Sequence, residues 1–149
     1  MSSAEDAVRL ARRCAAAMWA EDAASQGLGM RIVDIGPGYA RLEMVVTEAM
    51  TNGHGMCHGG FIFALADSTF AFACNTYGER AVAAHCSITY LRPGTRGERL
   101  TAVARERARG GRSGLYDVQV TGADGAVLAE FRGHSRVIGS FSAEGQDKT

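Results

Sequence analysis

Missing from this chain of 149 residues are a surplus of one charge, a long apolar run, an export signal and any sign of paired cysteines. Its 16 Lys+Arg balance 16 Asp+Glu, for a formal net charge of +0. No overall basic field is present to concentrate a nucleic acid or an anionic membrane, although a local cluster of arginines can still hold an anionic ligand. No apolar stretch approaches the roughly 20 residues that span a bilayer. At the N-terminus Glu5 and Asp6 come first, and Arg9, Arg12 and Arg13 interrupt the apolar residues, which is not the pattern of a signal peptide. The expected setting is therefore cytoplasmic, with Cys14, Cys57, Cys74 and Cys86 as reduced thiols that act as small hydrophobes. The chain also has no GxGxxG, P-loop, G-x-S-x-G or HExxH motif.

Hydrophobic residues make up 46% and charged residues 21%, the composition of one globular domain able to bury its own core. Ser3 with Asp6 resembles a helix N-cap and its acidic third position. Ala4, Ala7, Val8, Ala11, Cys14, Ala15 and Met18 then recur at helical spacing. The expected organisation is an N-terminal helix within 1–24, a main domain over 25–138 and a flexible tail over 139–149. Residues 28–36 and 39–48 read as strands joined at Gly36-Pro37-Gly38. In the second, Ala40, Leu42, Met44 and Val46 alternate with more polar positions, as in a sheet with one covered face.

From Gly59 to about Tyr77 runs the most apolar stretch of the chain, GGFIFALADSTFAFACNTY. It is too long for one strand and apolar almost all round, which for a helix means burial in the middle of something. Strands are expected at 82–92, 98–109, 114–123 and 126–138, each bounded by turn residues. Short turns between consecutive strands imply antiparallel pairing. About six strands and one all-round apolar helix have an economical packing: an α+β architecture in which a curved antiparallel sheet wraps the helix.

Asp67 is the residue that needs a reason. It interrupts the apolar helix, and an ionised carboxylate there is costly unless it is paired or meets a water-filled pocket. No lysine or arginine lies on the helix. Its neighbours at helical spacing, Gly60, Ala64, Ala71 and Cys74, are small and leave room beside the carboxylate. A ligand cleft would use that room; a hydrogen bond from another element would explain the acid without one.

Gly59 and Gly60 open the helix. The first amides of a helix have no internal partner and sit at the positive end of its dipole. Such an amide suits a carbonyl oxygen that gains negative charge during acyl transfer, although Gly-Gly can equally just turn the chain. Eight residues separate Gly59 from Asp67, about 12 Å along a helix. One carbonyl cannot touch both. If both act, two antiparallel copies must share the site across a two-fold axis.

The preceding loop supplies Asn52, His54, Cys57 and His58. Its HGMCH run has zinc-ligand types, but no second Cys/His cluster at a known spacing, so no metal is expected. His58 fits a loop-fixing role, with general-base work left open. Asn52 can orient a water or a carbonyl. Arg109-Gly110-Gly111-Arg112-Ser113 is a basic hairpin whose arginines suit phosphate.

The run NGHGMCHGGFIFALADSTFAFACN, Asn52 to Asn75, resembles the hotdog thioesterases of the phenylacetic acid degradation type, and CSITYLRPG from Cys86 looks like their next strand. The resemblance implies a hotdog fold and hydrolysis of acyl-CoA thioesters, often aryl or hydroxylated phenylacetyl-CoA, or of related medium-chain acyl-CoAs. It implies dimers that pair into tetramers, with the active site across the dimer interface. It places the catalytic carboxylate on Asp67, the carbonyl-polarising amide on Gly59, the water- or substrate-placing asparagine on Asn52 and the motif histidine on His58. Substrate contacts from Gly60, Arg109, Gly110, Arg112 and Ser113 are the matching expectation. No cofactor is implied, because coenzyme A is part of the substrate. A strand hydroxyl found in some relatives is missing from Val82-Ala83-Ala84-His85; Ser87 or Thr89 are the nearest substitutes. Two other readings of the fold are a hydratase or dehydratase pairing His54 or His58 with Asp67, and an acyl-CoA-binding regulator without turnover. A DNA-contacting regulator would need a helix-turn-helix, for which the short N-terminal segment leaves no room.

Overall fold

The structure is a computed structural model and describes residues 2–140. Helix α1 (Ser3–Glu21) is capped by Ser2, whose hydroxyl accepts from the Glu5 N–H, so the cap falls one residue earlier than the sequence pattern indicates. The expected single helix to residue 24 breaks at Asp22. Its carboxylate accepts from both the N–H and the hydroxyl of Ser25 and starts a second short helix, α2 (Ala23–Gly27). A side chain that bonds its own backbone in this way competes with helix continuation.

Six strands follow: β1 (Arg31–Gly36), β2 (Tyr39–Val45), β3 (Glu79–Tyr90), β4 (Arg99–Gly110), β5 (Ser113–Thr121) and β6 (Val127–Ser140). Gly139 and Ser140 thus extend the last strand rather than begin a tail, and the rest of the expected tail lies outside the described residues. Helix α3 (Gly59–Cys74) sits between β2 and β3 in sequence. All strand pairs are antiparallel, in the order β1-β2-β4-β5-β6-β3. Consecutive strands pair except around α3: β3 lies beside β6, and residues 91–98 carry the chain back across to β4. This is the hotdog arrangement, with α3 touching all six strands.

The core forms where the alternating faces meet α3. Leu42 and Met44 of β2, Leu100 and Ala102 of β4 and Val118 and Val120 of β5 are buried against Ile62, Leu65, Phe70 and Phe72 of the helix. The close approach depends on Gly133: a Cβ there would meet the Phe70 ring at 2.7 Å. The far end of α3 is tied by Asn75, which donates to the carbonyls of Ala71 and Ala81 and accepts from the Ala81 N–H. Helix α1 buries Ala11, Cys14 and Ala15 and rests Trp19 on Phe72. Among the described residues no helix is long and apolar enough to cross a membrane.

Candidate functional site around Asp67 and the start of helix α3

The loop before α3 is built to aim the helix. Asn52 accepts through Oδ1 from the N–H groups of His54 and Met56, closing the loop on itself. His58 N–H donates to Met50 and Cys57 N–H to Gly94 O, which anchors the loop to the β3–β4 crossing. His58 is then the N-cap of α3, its Nδ1 accepting from the Gly60 N–H at 2.9 Å. Phe61 N–H turns back onto His58 O. Among the described residues no acceptor takes the Gly59 N–H. Of the two glycine amides, then, Gly60 is occupied and Gly59 is free at the positive end of the helix.

Asp67 lies two turns further along. Gly60, Ala64, Asp67 and Ala71 form a small-residue stripe that is half-buried or exposed, and the stripe closes at buried Cys74. Among the described residues Asp67 has no cationic partner; its one polar contact is the Cys86 thiol of β3, 4.0 Å from Oδ1. Burial pushes the Asp67 carboxyl above the ordinary carboxylate range, since desolvation disfavours the charged form. The next residue, Ser68, is held by the buried Ser25 hydroxyl at 2.8 Å, which fixes the helix face carrying the acid.

Sequence reasoning passed over two residues here. A register shift between Ala83 and His85 resets the alternation of β3, so Cys86, Ile88 and Tyr90 face α3 while Ser87 lies on the other face, opposite Arg132. Ser87 and Thr89 are therefore not the groups beside Asp67; a thiol is. Tyr90 reaches the start of α3, donating to the Gly59 carbonyl at 2.9 Å. The alternation Cys86, Ile88, Tyr90 against Ser87, Thr89 was the signal available for both.

The basic hairpin is placed at the opposite end of α3 from Gly59. A register shift between Glu106 and Ala108 turns Arg109 inward. Its guanidinium carbon stacks 3.6 Å from the Tyr77 ring centre, with Nε 3.4 Å from Glu106, which also accepts from the hydroxyls of Tyr77 and Tyr116. Burial and Glu106 push the Tyr77 phenol up to about 12. Arg112 is exposed and has no ion-pair partner among the described residues. Gly110 and Ser113 line a groove of about 500 Å³ with His85, Ser87, Leu115 and His134. The structure thus places Asn52 in the loop that leads to His58, Gly59 and Gly60, sets Asp67 two turns along the helix that the glycines open, and does not join the hairpin to either within one chain. No group of three or more His, Cys, Asp or Glu among the described residues is placed to hold a metal.

Comparison with known proteins bears on the family and the fold. Residues 54–129 match the family model of the thioesterase superfamily. The chain is 46% identical over 123 residues to the acyl-coenzyme A thioesterase PaaI of Escherichia coli K12, covering 83% of this chain and 88% of that protein. The solved structure of the E. coli PaaI protein from the phenylacetic acid degradation operon superposes with a TM-score of 0.89 at 43% identity, over 91% of this chain and 99% of that one. A point mutant of the phenylacetic acid degradation protein PaaI from Thermus thermophilus gives 0.74 at 38% identity, over 76% and 97%. A Streptococcus mutans UA159 protein bound to acetyl CoA gives 0.73 at 27% identity, over 76% and 91%. By family match, identity and fold together, this chain belongs to the thioesterase superfamily.

Proposed function

We propose that the protein hydrolyses acyl-CoA thioesters in the cytoplasm, with phenylacetyl-type and related aryl or medium-chain acyl groups as its substrate class and no cofactor besides the coenzyme A of the substrate. The observation that carries the reading is a free Gly59 N–H at the head of the same helix that bears an unpaired, half-buried Asp67. The Gly59 N–H of one copy binds the thioester oxygen and stabilises the negative charge that develops there. Asp67 of a second copy acts on the carbonyl carbon, as base toward water or as nucleophile through a mixed anhydride. Asn52 keeps its amide nitrogen available after its oxygen is spent on the loop, and so is suited to place water or substrate. His58 serves by capping. Its Nδ1 is spent on Gly60, which weighs against a dehydratase pairing of imidazole and carboxylate.

Sharing between copies follows from the distance of about 12 Å between the two residues. The twelve residues of β3 form an open sheet edge, with Val82 at 44% and Tyr90 at 48% exposure, and pairing two such edges covers both. The functional unit is then a dimer, with dimers pairing into a tetramer. The acyl group meets the Asp67 stripe beside the half-buried Phe61 and Phe63, whereas Phe70 and Phe72 are core.

The test is thiol release from phenylacetyl-, hydroxyphenylacetyl-, benzoyl- and straight-chain acyl-CoAs by wild type, Asp67→Asn and Gly59→Pro, the last removing the N–H. Each variant alone should be inactive. Mixed and refolded together in equal amounts, they should recover about a quarter of wild-type activity, because half the dimers then hold one intact site of two. No recovery from well-folded mixed dimers would refute the shared site, and an active Asp67→Asn would refute the role of the carboxylate.

A further inference from the structure

We infer that Tyr90 is a positioning residue: with His58 it clamps both ends of one peptide unit, and the clamp aims the Gly59 N–H. The inference rests on the reading of that amide as the carbonyl-polarising group. The peptide linking Gly59 to Gly60 has two polar groups. Its carbonyl accepts from the Tyr90 hydroxyl at 2.9 Å, and its N–H donates to His58 Nδ1 at 2.9 Å. The two side chains come from different elements, the loop and the end of β3, so they hold the peptide plane against the sheet as well as against the helix.

Such a clamp answers a specific weakness. Two successive glycines in the first turn of a helix have no Cβ to restrict them, and glycine loses more freedom on ordering than any other residue. A hydrogen-bond donor that wanders loses its advantage, because preorganised donors stabilise a developing oxyanion only when already aimed. The free N–H belongs to the preceding peptide, whose carbonyl on His58 accepts from the Phe61 N–H. With the Gly59–Gly60 peptide held as well, both planes flanking the Gly59 Cα are fixed, and its φ and ψ with them. The ring contributes as well. A Cβ on Gly59 would lie 3.1–3.3 Å from two ring carbons and the hydroxyl oxygen of Tyr90. Tyr90 therefore packs directly on the glycine, and a side chain at that position would need the ring to give by a few tenths of an ångström. The hydroxyl also reinforces the cap: donation to a peptide carbonyl polarises the N–H of the same peptide and strengthens its bond to His58.

The experiment uses Tyr90→Phe, which keeps the ring and removes the hydroxyl, with His58→Ala and the double variant, in the full-length protein. Deleting an oxyanion donor costs about 10²–10³ in kcat. Here the donor stays and only its aim loosens, so Tyr90→Phe should lower kcat by roughly 5- to 20-fold with KM changed less than about twofold. The double variant should lose less than the product of the single losses, because both residues act on one peptide unit. Hydrogen exchange of the Gly60 amide should quicken in Tyr90→Phe, a readout independent of turnover. Wild-type kcat in Tyr90→Phe, while Asp67→Asn is inactive, would overturn the clamp and leave the thioesterase reading intact. If the wild type cleaves no thioester, that reading fails, and unchanged Gly60 exchange in Tyr90→Phe overturns the clamp on its own evidence.

Discussion

Replacing Asp67 by asparagine should abolish turnover and stabilise the fold at once. The side chain is half-buried, has no cationic partner among the described residues, and touches only a thiol at 4.0 Å. Full burial of a carboxylate costs several kcal/mol. Partial exposure and solvent screening reduce this to about 1 kcal/mol, or roughly 2–4 °C in Tm for a chain of this length. The sign follows from the raised carboxyl. The folded state holds the Asp67 proton more tightly than the unfolded state, so wild-type stability falls as pH rises through the folded value. Asp67→Asn should therefore melt higher than wild type at pH 7, and the gap should close on acidification below the ordinary aspartate range. Turnover should drop by about 10²–10⁴, the usual worth of a placed acid or base. The wild-type rate should have an acid limb above the ordinary aspartate value, since the ionised form does the work. Calorimetry at several pH values beside thiol release settles the matter. A variant that melts lower at pH 7, or a gap independent of pH, would refute the account of an unpaired, desolvated charge.

Gly133→Ala should cost about 1–3 kcal/mol by forcing the Phe70 ring away from β6; a chemical denaturation curve superposable on wild type would contradict it. Glu98 accepts from the N–H groups of Thr95 and Ala123, which holds its carboxyl below the ordinary range. Glu98→Ala should thus lower stability by about 1 kcal/mol at neutral pH. That loss should shrink as pH falls through the depressed folded value, because the wild type then gives up the same bonds; thermal melts at pH 7 and in acid check the direction. Arg109→Ala should lower Tm by a few degrees through its stacking on Tyr77 and its pairing with Glu106. Arg112→Ala should instead leave Tm alone and raise KM for coenzyme A esters by about fivefold, the worth of one exposed ionic contact. Melting and steady-state kinetics on both variants test this division of roles.

Much of this protein can be read from residue order because the governing forces are local. A sixteen-residue apolar stretch without proline, opened by two glycines, can only be a buried helix, and one carboxylate inside it stands out by its cost of desolvation. The turn residues mark off the strands for the same reason. What depends on distant parts of the chain was not legible. The placement of β3 beside β6 is a choice among long-range pairings that alternation does not encode. Two register shifts invert the face parity of β3 and β4. The first turns Cys86 and Tyr90 toward α3, for which the local alternation over 86–90 is a signal; the second swings Arg109 inward onto Tyr77, and nothing local marks it. Which of the first helical amides stays free depends on a histidine rotamer, and what holds the adjoining carbonyl is a tyrosine 31 residues away. Residue order determined that a carboxylate and a helix N-terminus lie on one element, with a histidine beside it able to cap the Gly60 amide; only tertiary structure decided what holds the Gly59 carbonyl, because Tyr90 meets it only when the sheet has closed around the helix.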